Sequence, residues 1–325
     1  MSAFDELLAY VTERGAGASE AINPFWRHEL RKLQALLEQD RRPSIDEVVR
    51  ALGYFDDRLP SGMTNRDTEA WGALMKALES DPCDRALAEH AGSLAVLMKH
   101  KLLEAYLKLI DGLGLMSNMA LARHYWYSVK LEAHISALEI RRPARFLEVG
   151  AGGGQFAMLM SNLGLVGHYV IADLPAMLLN SAVTLSQRYP ESKVHFGKTP
   201  AFKATGLNFW LLDTDDIEKI PDGSIDVSLN FNSFMEMDEQ VRDFYIENIY
   251  RCSRPGAIFY NVNRRQSAMS RRGGEIFDNH PLLYPYRPSD RVVEWGPDQM
   301  QQDNRSRRFQ SPHKSFCISR IAQVA

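Results

Sequence analysis

Up to about residue 140, apolar positions recur three and four residues apart. Phe25, Leu30, Leu33, Leu36 and Leu37 show it, and again Leu94, Leu97, Met98, Leu102, Tyr106 and Leu109. That spacing places them on one face of a helix, so this half is predicted to be a set of helices. Ser44 is placed to cap a helix start, with Glu47 three residues on, and Leu59-Pro60-Ser61-Gly62 marks a turn. A last helix from Met119 to Ile140 is stopped by Arg141-Arg142-Pro143, because the residue before a proline is pushed out of helical geometry. After Pro143 short apolar runs alternate with helical segments, the pattern of strand-helix-strand units that build a parallel sheet. Strands are predicted at Arg145 to Val149, His168 to Ala172, Lys193 to Phe196, Asn208 to Leu212, Ile225 to Asn230 and Ala257 to Val262. Two late runs, Arg291 to Trp295 and Ser315 to Ile321, flank a polar, arginine-rich stretch and are predicted to form an antiparallel pair. The pattern divides the chain into a helical unit over 1–142 and an α/β unit over 143–325.

Composition changes this picture little. With 325 residues, 45% apolar and 24% charged, the chain has material for a large core and the make-up of a soluble globular protein. The net charge of −3 argues against a chain-wide footprint for nucleic acid. The basic clusters Arg271-Arg272-Gly273-Gly274 and Arg305-Ser306-Arg307-Arg308 lack interleaved stacking aromatics, so no nucleic-acid partner is expected. Cys83, Cys252 and Cys317 are too far apart for a zinc or disulfide spacing and read as reduced core thiols. The opening residues carry early acids and no long apolar run, so neither a signal peptide nor a membrane span is expected, and the address is cytoplasmic.

One segment carries chemistry. Phe146-Leu147-Glu148-Val149 reads as a buried strand running into Gly150-Ala151-Gly152-Gly153-Gly154-Gln155 and then into an amphipathic helix from Phe156 to Leu163. Glycines there let the backbone turn tightly and let a ligand approach the amides at the helix start. The next strand ends at Asp173, about two dozen residues beyond Gly150. In an open parallel sheet both turns lie on the carboxyl edge, so Asp173 points at the ligand of the glycine turn. A carboxylate there accepts the two ribose hydroxyls of an adenosine-containing cofactor. Gln155 stands where a dinucleotide turn has its third glycine, which disfavours a diphosphate. Glu148 would also repel a diphosphate but suits the ammonium and sulfonium charges of S-adenosylmethionine. Its structural alternative is an acid that complements a helix N-terminus.

Glu148-x-Gly150-x-Gly152-x-Gly154 together with Asp173 resembles the first motif and the ribose-binding acid of class I methyltransferases. That resemblance implies a Rossmann-like seven-stranded methyltransferase sheet with helices on both faces and a reversed last strand, binding S-adenosylmethionine. A narrower resemblance is to a bacterial family of sugar O-methyltransferases, through Asp173-Leu174-Pro175, Asn232-Ser233-Phe234-Met235-Glu236-Met237 and Asn263-Arg264. It implies a sugar hydroxyl as the acceptor. Residues 1–142 match no motif and are expected to serve as a lid, a substrate domain or a homo-oligomer contact.

Methyl transfer to oxygen is an in-line displacement, so the enzyme has mainly to align two reactants and exclude water. A base that removes the hydroxyl proton adds roughly 10²–10⁴-fold. Glu236, in the loop after the Ile225 strand, is the first candidate for that base and His280 the second. Asp213 and Thr214 are placed for the adenine edge, Gln155 and Leu174 for the cofactor, and Asn230 for the methionine part of the cofactor or the acceptor, unless it simply forms the turn. Asn232 can reach cofactor or acceptor. Arg264 and Arg265 can pair with an anionic part of the acceptor. His124 can close over the site or simply pack among Tyr125, Trp126 and Tyr127. Asp213, Asp215 and Asp216 cluster, but acids after a strand more often meet adenine or solvent than magnesium, and no metal is expected. A phenol or carboxylate acceptor, or a non-catalytic binding protein on this fold, stays open.

Overall fold

A computed structural model describes residues 3–14, 31, 33–44, 47, 100–102, 119–264, 267–270, 276–298 and 317–325. Its strands are β1 (Ala144–Val149), β2 (Val166–Ala172), β3 (Lys193–Phe196), β4 (Asn208–Leu212), β5 (Ile225–Phe231), β6 (Ser253–Arg264), β7 (Ser267–Ser270), β8 (Ile276–Asn279), β9 (Arg291–Pro297) and β10 (Cys317–Gln323). Eight of them form one sheet in the order β3-β4-β2-β1-β5-β6-β10-β9, while β7 and β8 pair as a separate ribbon. Neighbours from β3 to β6 run parallel, and β10 runs antiparallel to both β6 and β9. The reversed strand is therefore β10. The sheet has eight strands rather than seven because Lys193–Phe196 adds an edge outside β4, with His195 stacked on the Trp210 ring at 3.9 Å. The β7–β8 ribbon was not foreseen in the stretch after β6.

The helices are α1 (Ala3–Arg14), α2 (Met119–Ala137), α3 (Gln155–Asn162), α4 (Pro175–Arg188) and α5 (Glu239–Cys252). Strands β1, β2, β4 and β5 bury both faces, as a sheet covered by helices on each side requires. Ala144 and Phe146 of β1 pack with α2, α3 and α4, and Leu147 and Val149 pack on the other side with Tyr245, Ile246 and Ile249 of α5. Pro175 opens α4 in the first turn, where its missing N–H costs nothing. Asp238 caps α5 by accepting the Val241 N–H at 2.9 Å. The Ser44–Glu47 capping box is present: Glu47 N–H donates to Ser44 Oγ at 3.2 Å and Ser44 N–H to Glu47 Oε2 at 2.8 Å.

Helices α1 and α2 both join the core of the sheet: Val11 is fully buried, as are Tyr127 and Leu131. Cys252 and Cys317 are buried thiols, and neither forms a disulfide among the described residues. Among the described residues no helix is long and apolar enough to cross a membrane. Cys83, Arg265, the two arginine clusters, the Leu59–Gly62 turn and nearly all of the 94–109 periodicity lie outside the described residues.

Candidate functional site

The chain leaves β1 to build β2, β3 and β4 on one side, then crosses back to lay β5 on the other. The carboxyl edge between β1 and β5 is thus the switch point where open α/β sheets bind ligands. Three glycines there adopt the left-handed conformation that side chains avoid: Gly150 at φ 72, Gly152 at 58 and Gly154 at 71. Two glycines also answer to close packing within the protein. A Cβ on Gly150 would stand 2.1 Å from Ser233 Oγ, and one on Gly153 would meet Gln155 Nε2 at 2.5 Å and Asn180 Nδ2 at 2.8 Å. Close packing within the protein therefore adds to the tight turn and the ligand approach read from sequence.

Glu148 and Asp173 stand on the same face of adjacent strands and are both buried. Asp173 accepts the Gly152 N–H at 2.9 Å and the Leu174 N–H at 2.8 Å, one on each oxygen, and so ties the glycine turn to the tip of β2. Burial pushes its pKa up to about 7 against those two hydrogen bonds, and the negative charge of Glu236 adds to the rise. The Tyr169 hydroxyl donates to Glu148 at 2.7 Å. Burial nevertheless pushes Glu148 up to about 8, with the charge of Asp173 contributing. Among the described residues no cationic side chain enters the balance at either carboxyl.

Glu236 sits half-buried on the short turn 234–236 after β5, and its negative charge is felt at Asp173. Three buried asparagines hold that turn. Asn279 Nδ2 donates to the carbonyls of Phe234 at 2.8 Å and Met237 at 3.1 Å. Asn263 Oδ1 accepts the Met235 N–H at 3.2 Å, and Asn230 Oδ1 accepts the Phe234 N–H at 3.3 Å. Asn230 also donates to the Val149 carbonyl at 2.9 Å and to Ser233 Oγ, and accepts from Asn263 Nδ2 at 2.9 Å. Both its amide hydrogens and its oxygen are thereby engaged within the protein. It locks the β5 loop to β1, where a contact with the methionine part of the cofactor had been expected.

At the tip of β4, Asp213 Oδ1 accepts the amides of Asp215 and Asp216 at 3.1 and 3.0 Å and caps the turn 214–219. The Thr214 hydroxyl donates to the buried Tyr245 phenol oxygen, which also feels the charge of Asp173. The predicted cofactor residues Glu148, Gly150, Gly152, Gly154, Asp173, Leu174, Asp213 and Thr214 therefore share one edge of the sheet. Gln155 is buried at the start of α3.

The acceptor-side residues are less concentrated. His280 Nδ1 accepts the Leu282 N–H at 3.1 Å and caps a short turn, one residue after the Asn279 that steadies Glu236. His124 wedges between Phe156 at 5.9 Å and Phe231 at 6.5 Å, one on each side of the switch point. Burial, with help from Arg123, pushes its pKa down to about 3, so the ring is neutral. Asn232 takes a left-handed φ of 62 and accepts the Cys317 thiol at 3.5 Å. Arg264 is exposed at the end of β6. Among the described residues no three acids, histidines or cysteines are grouped to hold a metal, and Asp216 is paired with Lys219 at 2.8 Å.

A family described as a methyltransferase domain matches residues 147–261. No curated protein matches by sequence. Among solved structures, the trans-methyltransferase CalH with S-adenosylhomocysteine is 13% identical with a TM-score of 0.38, covering 99% of this chain and 89% of its own. The Burkholderia thailandensis 1,6-didemethyltoxoflavin-N1-methyltransferase is 13% identical with a TM-score of 0.37, covering 82% and 92%. The [4+2]-cyclase SpnF is 15% identical with a TM-score of 0.41, covering 61% and 82%. The glycine turn and its paired acids fit an adenosine donor of positive charge, and the stretch 147–261 is similar to a methyltransferase domain, whose cofactor is S-adenosylmethionine.

Proposed function

We propose that the chain is an O-methyltransferase whose acceptor is a sugar hydroxyl. The observation that carries this reading is the pair Glu148 and Asp173 beside a left-handed glycine turn, both buried with raised pKa values, with the charge of Glu236 felt at Asp173. Such a cluster favours a cation, and S-adenosylmethionine when bound supplies a methyl carbon activated by its sulfonium. Glu148 and Asp173 then hold the donor by charge and by hydrogen bonds. Glu236 would take the proton from the acceptor hydroxyl as that oxygen is methylated.

The acceptor class follows from what such a base is for. A carboxylate acceptor is already ionised at neutral pH, and a phenol is far more acidic than an alcohol. An aliphatic hydroxyl gains most from a carboxylate held in place, and the asparagines around 234–237 supply that rigidity. The resemblance of Asn232–Met237 and Asn263-Arg264 to sugar O-methyltransferases supports the same class, and exposed Arg264 suits a sugar that bears an anionic group.

The test offers the purified protein and S-adenosylmethionine to nucleotide sugars, oligosaccharides, phenols and carboxylic acids, and follows methyl gain by mass spectrometry. Sugar hydroxyls are expected to be methylated, and Glu236→Gln to slow turnover about 10²–10⁴-fold while S-adenosylhomocysteine affinity stays within about threefold. Methylation confined to phenols or acids overturns the acceptor, and normal turnover in Glu236→Gln overturns the base.

A further inference from the structure

The turn at the tip of β4 is gripped from both faces of the sheet by tyrosine hydroxyls. From α5, Tyr245 bonds Thr214. From α1, the Tyr10 hydroxyl accepts the Asp213 N–H at 3.1 Å and donates to Asp216 Oδ2 at 3.2 Å. One hydroxyl thus fixes the first residue of the turn through its main chain and a later one through its side chain. The ring of Tyr10 lies over Gly197, at the end of β3, where a Cβ would stand 2.6 Å from Tyr10 Cε2. A glycine with φ 59 at that point is what lets the ring settle. Behind it Val11 is buried and Leu8 packs against the same core. Helix α1 is therefore seated at the carboxyl edge of the sheet, on the outer side of the acidic turn.

That turn is where the base of an adenosine ligand would be read. Adenine offers an amino donor and ring-nitrogen acceptors along its edges, and the half-buried Thr214 hydroxyl and exposed Asp215 carboxyl of this turn are complementary to them. Its geometry depends on what holds Asp213 and Asp216. Within the described residues the Tyr10 hydroxyl does this from α1 and Lys219 from the turn itself, through Asp216 at 2.8 Å.

We infer that α1 is a built part of the donor site, with Tyr10 as the positioning residue that clamps the purine-side turn, so that purine binding and the docking of residues 3–14 are coupled. The inference rests on the S-adenosylmethionine reading of the cradle. Coupling of this kind is reciprocal: the factor by which docked α1 raises purine affinity is the factor by which bound purine raises docking. Local docking equilibria are visible as amide-exchange protection, so both halves of the relation can be measured.

The experiment uses the full chain and two probes, S-adenosylhomocysteine and adenosine. Amide exchange is followed with and without each probe, and affinities are measured by calorimetry for wild type, Tyr10→Phe and the control Glu13→Ala on the exposed side of α1. Both probes are expected to slow exchange in 3–14 and 213–219 of the wild type. Tyr10→Phe keeps the ring over Gly197 but loses both hydrogen bonds, and is expected to weaken both probes about tenfold, with Glu13→Ala unchanged. An equal loss for the two probes locates the effect at the purine. A loss confined to S-adenosylhomocysteine, or wild-type binding with no change of exchange in 3–14, overturns the clamp. Failure of the wild type to bind S-adenosylhomocysteine would instead remove the donor reading beneath it. The wild-type exchange experiment decides the matter even if Tyr10→Phe folds poorly.

Discussion

Donor affinity should rise steeply with pH between pH 5.5 and 7.5. The perturbation is the ionisation of two buried carboxyls, Asp173 with a pKa of about 7 and Glu148 of about 8. Each must be charged to hold a cation best, so each proton still bound at the working pH opposes binding. Over that interval the ionised fraction of a group with pKa 7 grows about 25-fold, and that of a group with pKa 8 about 75-fold. If only Asp173 must ionise, the dissociation constant falls about 25-fold; if both must, it falls roughly 10³-fold. The upper limit of pH 7.5 keeps the donor's own amine, with an ordinary pKa near 7.7–8.0, mostly charged. The assay is calorimetry of S-adenosylmethionine binding at stepped pH, repeated in buffers of different ionisation heat so that released protons are counted directly. At pH 6.5 about 0.8 proton should leave if Asp173 acts alone and about 1.7 if both do. Folding shows the opposite trend. Both pKa values are raised above the unfolded range, so the folded protein holds more protons from about pH 4 up to 7–8, and stability of the empty protein falls as pH rises through that window. An affinity flat within about twofold, with no buffer-dependent heat, would refute the reasoning, because it would mean that the carboxyls are already charged or face away from the donor.

Two further outcomes follow from the loops around the cradle. Asn279→Ala strips the turn 234–237 of two side-chain bonds and leaves the Arg242 guanidinium without its contact at 3.2 Å. Thermal melts should report a loss of about 2–4 kcal/mol, and turnover should fall at least about tenfold while S-adenosylhomocysteine affinity holds; unchanged turnover would show that the turn needs no such support. Gly150→Ala places a Cβ 2.1 Å from Ser233 Oγ at a φ of 72. It should abolish donor binding and cost about 1–3 kcal/mol, and adding Ser233→Gly should restore part of the stability, whereas no recovery would mean that backbone strain alone is responsible.

The parts of the site that can be read from sequence are those whose partners lie close along the chain or follow from strand parity. Val149 running into three left-handed glycines, and Asp173 at the end of the next strand, fall out of apolar runs ended by turn residues. Strand alternation puts Tyr169 and Asp173 on one face, and the register of β1 on β2 adds Glu148 to it, so the Tyr169–Glu148 bond needed the pairing of the strands. The extra edge strand β3 was visible as a run of alternating residues, but nothing local says whether such a run pairs. The rest depends on contacts far apart in sequence. Tyr10 meets Asp213 across 203 positions, and Asn279 meets Phe234 across 45.

Asn230 shows why such contacts alter roles and not only neighbours. A polar side chain at a buried strand end needs partners, and from sequence the partner could equally be cofactor or protein. The structure supplies protein partners for both amide hydrogens and for the oxygen, so the residue fixes the loop that presents Glu236. Asp173 behaves differently. Its two amide donors hold the glycine turn but do not offset burial, and the carboxyl stays near neutrality beside other acids. A group whose hydrogen bonds are complete but whose charge is uncompensated is held in place for a cation, whereas a group complete in both respects is part of the scaffold. By that criterion Asn230, Asn263 and Asn279 are the frame of the turn 234–237, whereas Glu148 and Asp173 are the residues we propose for the donor.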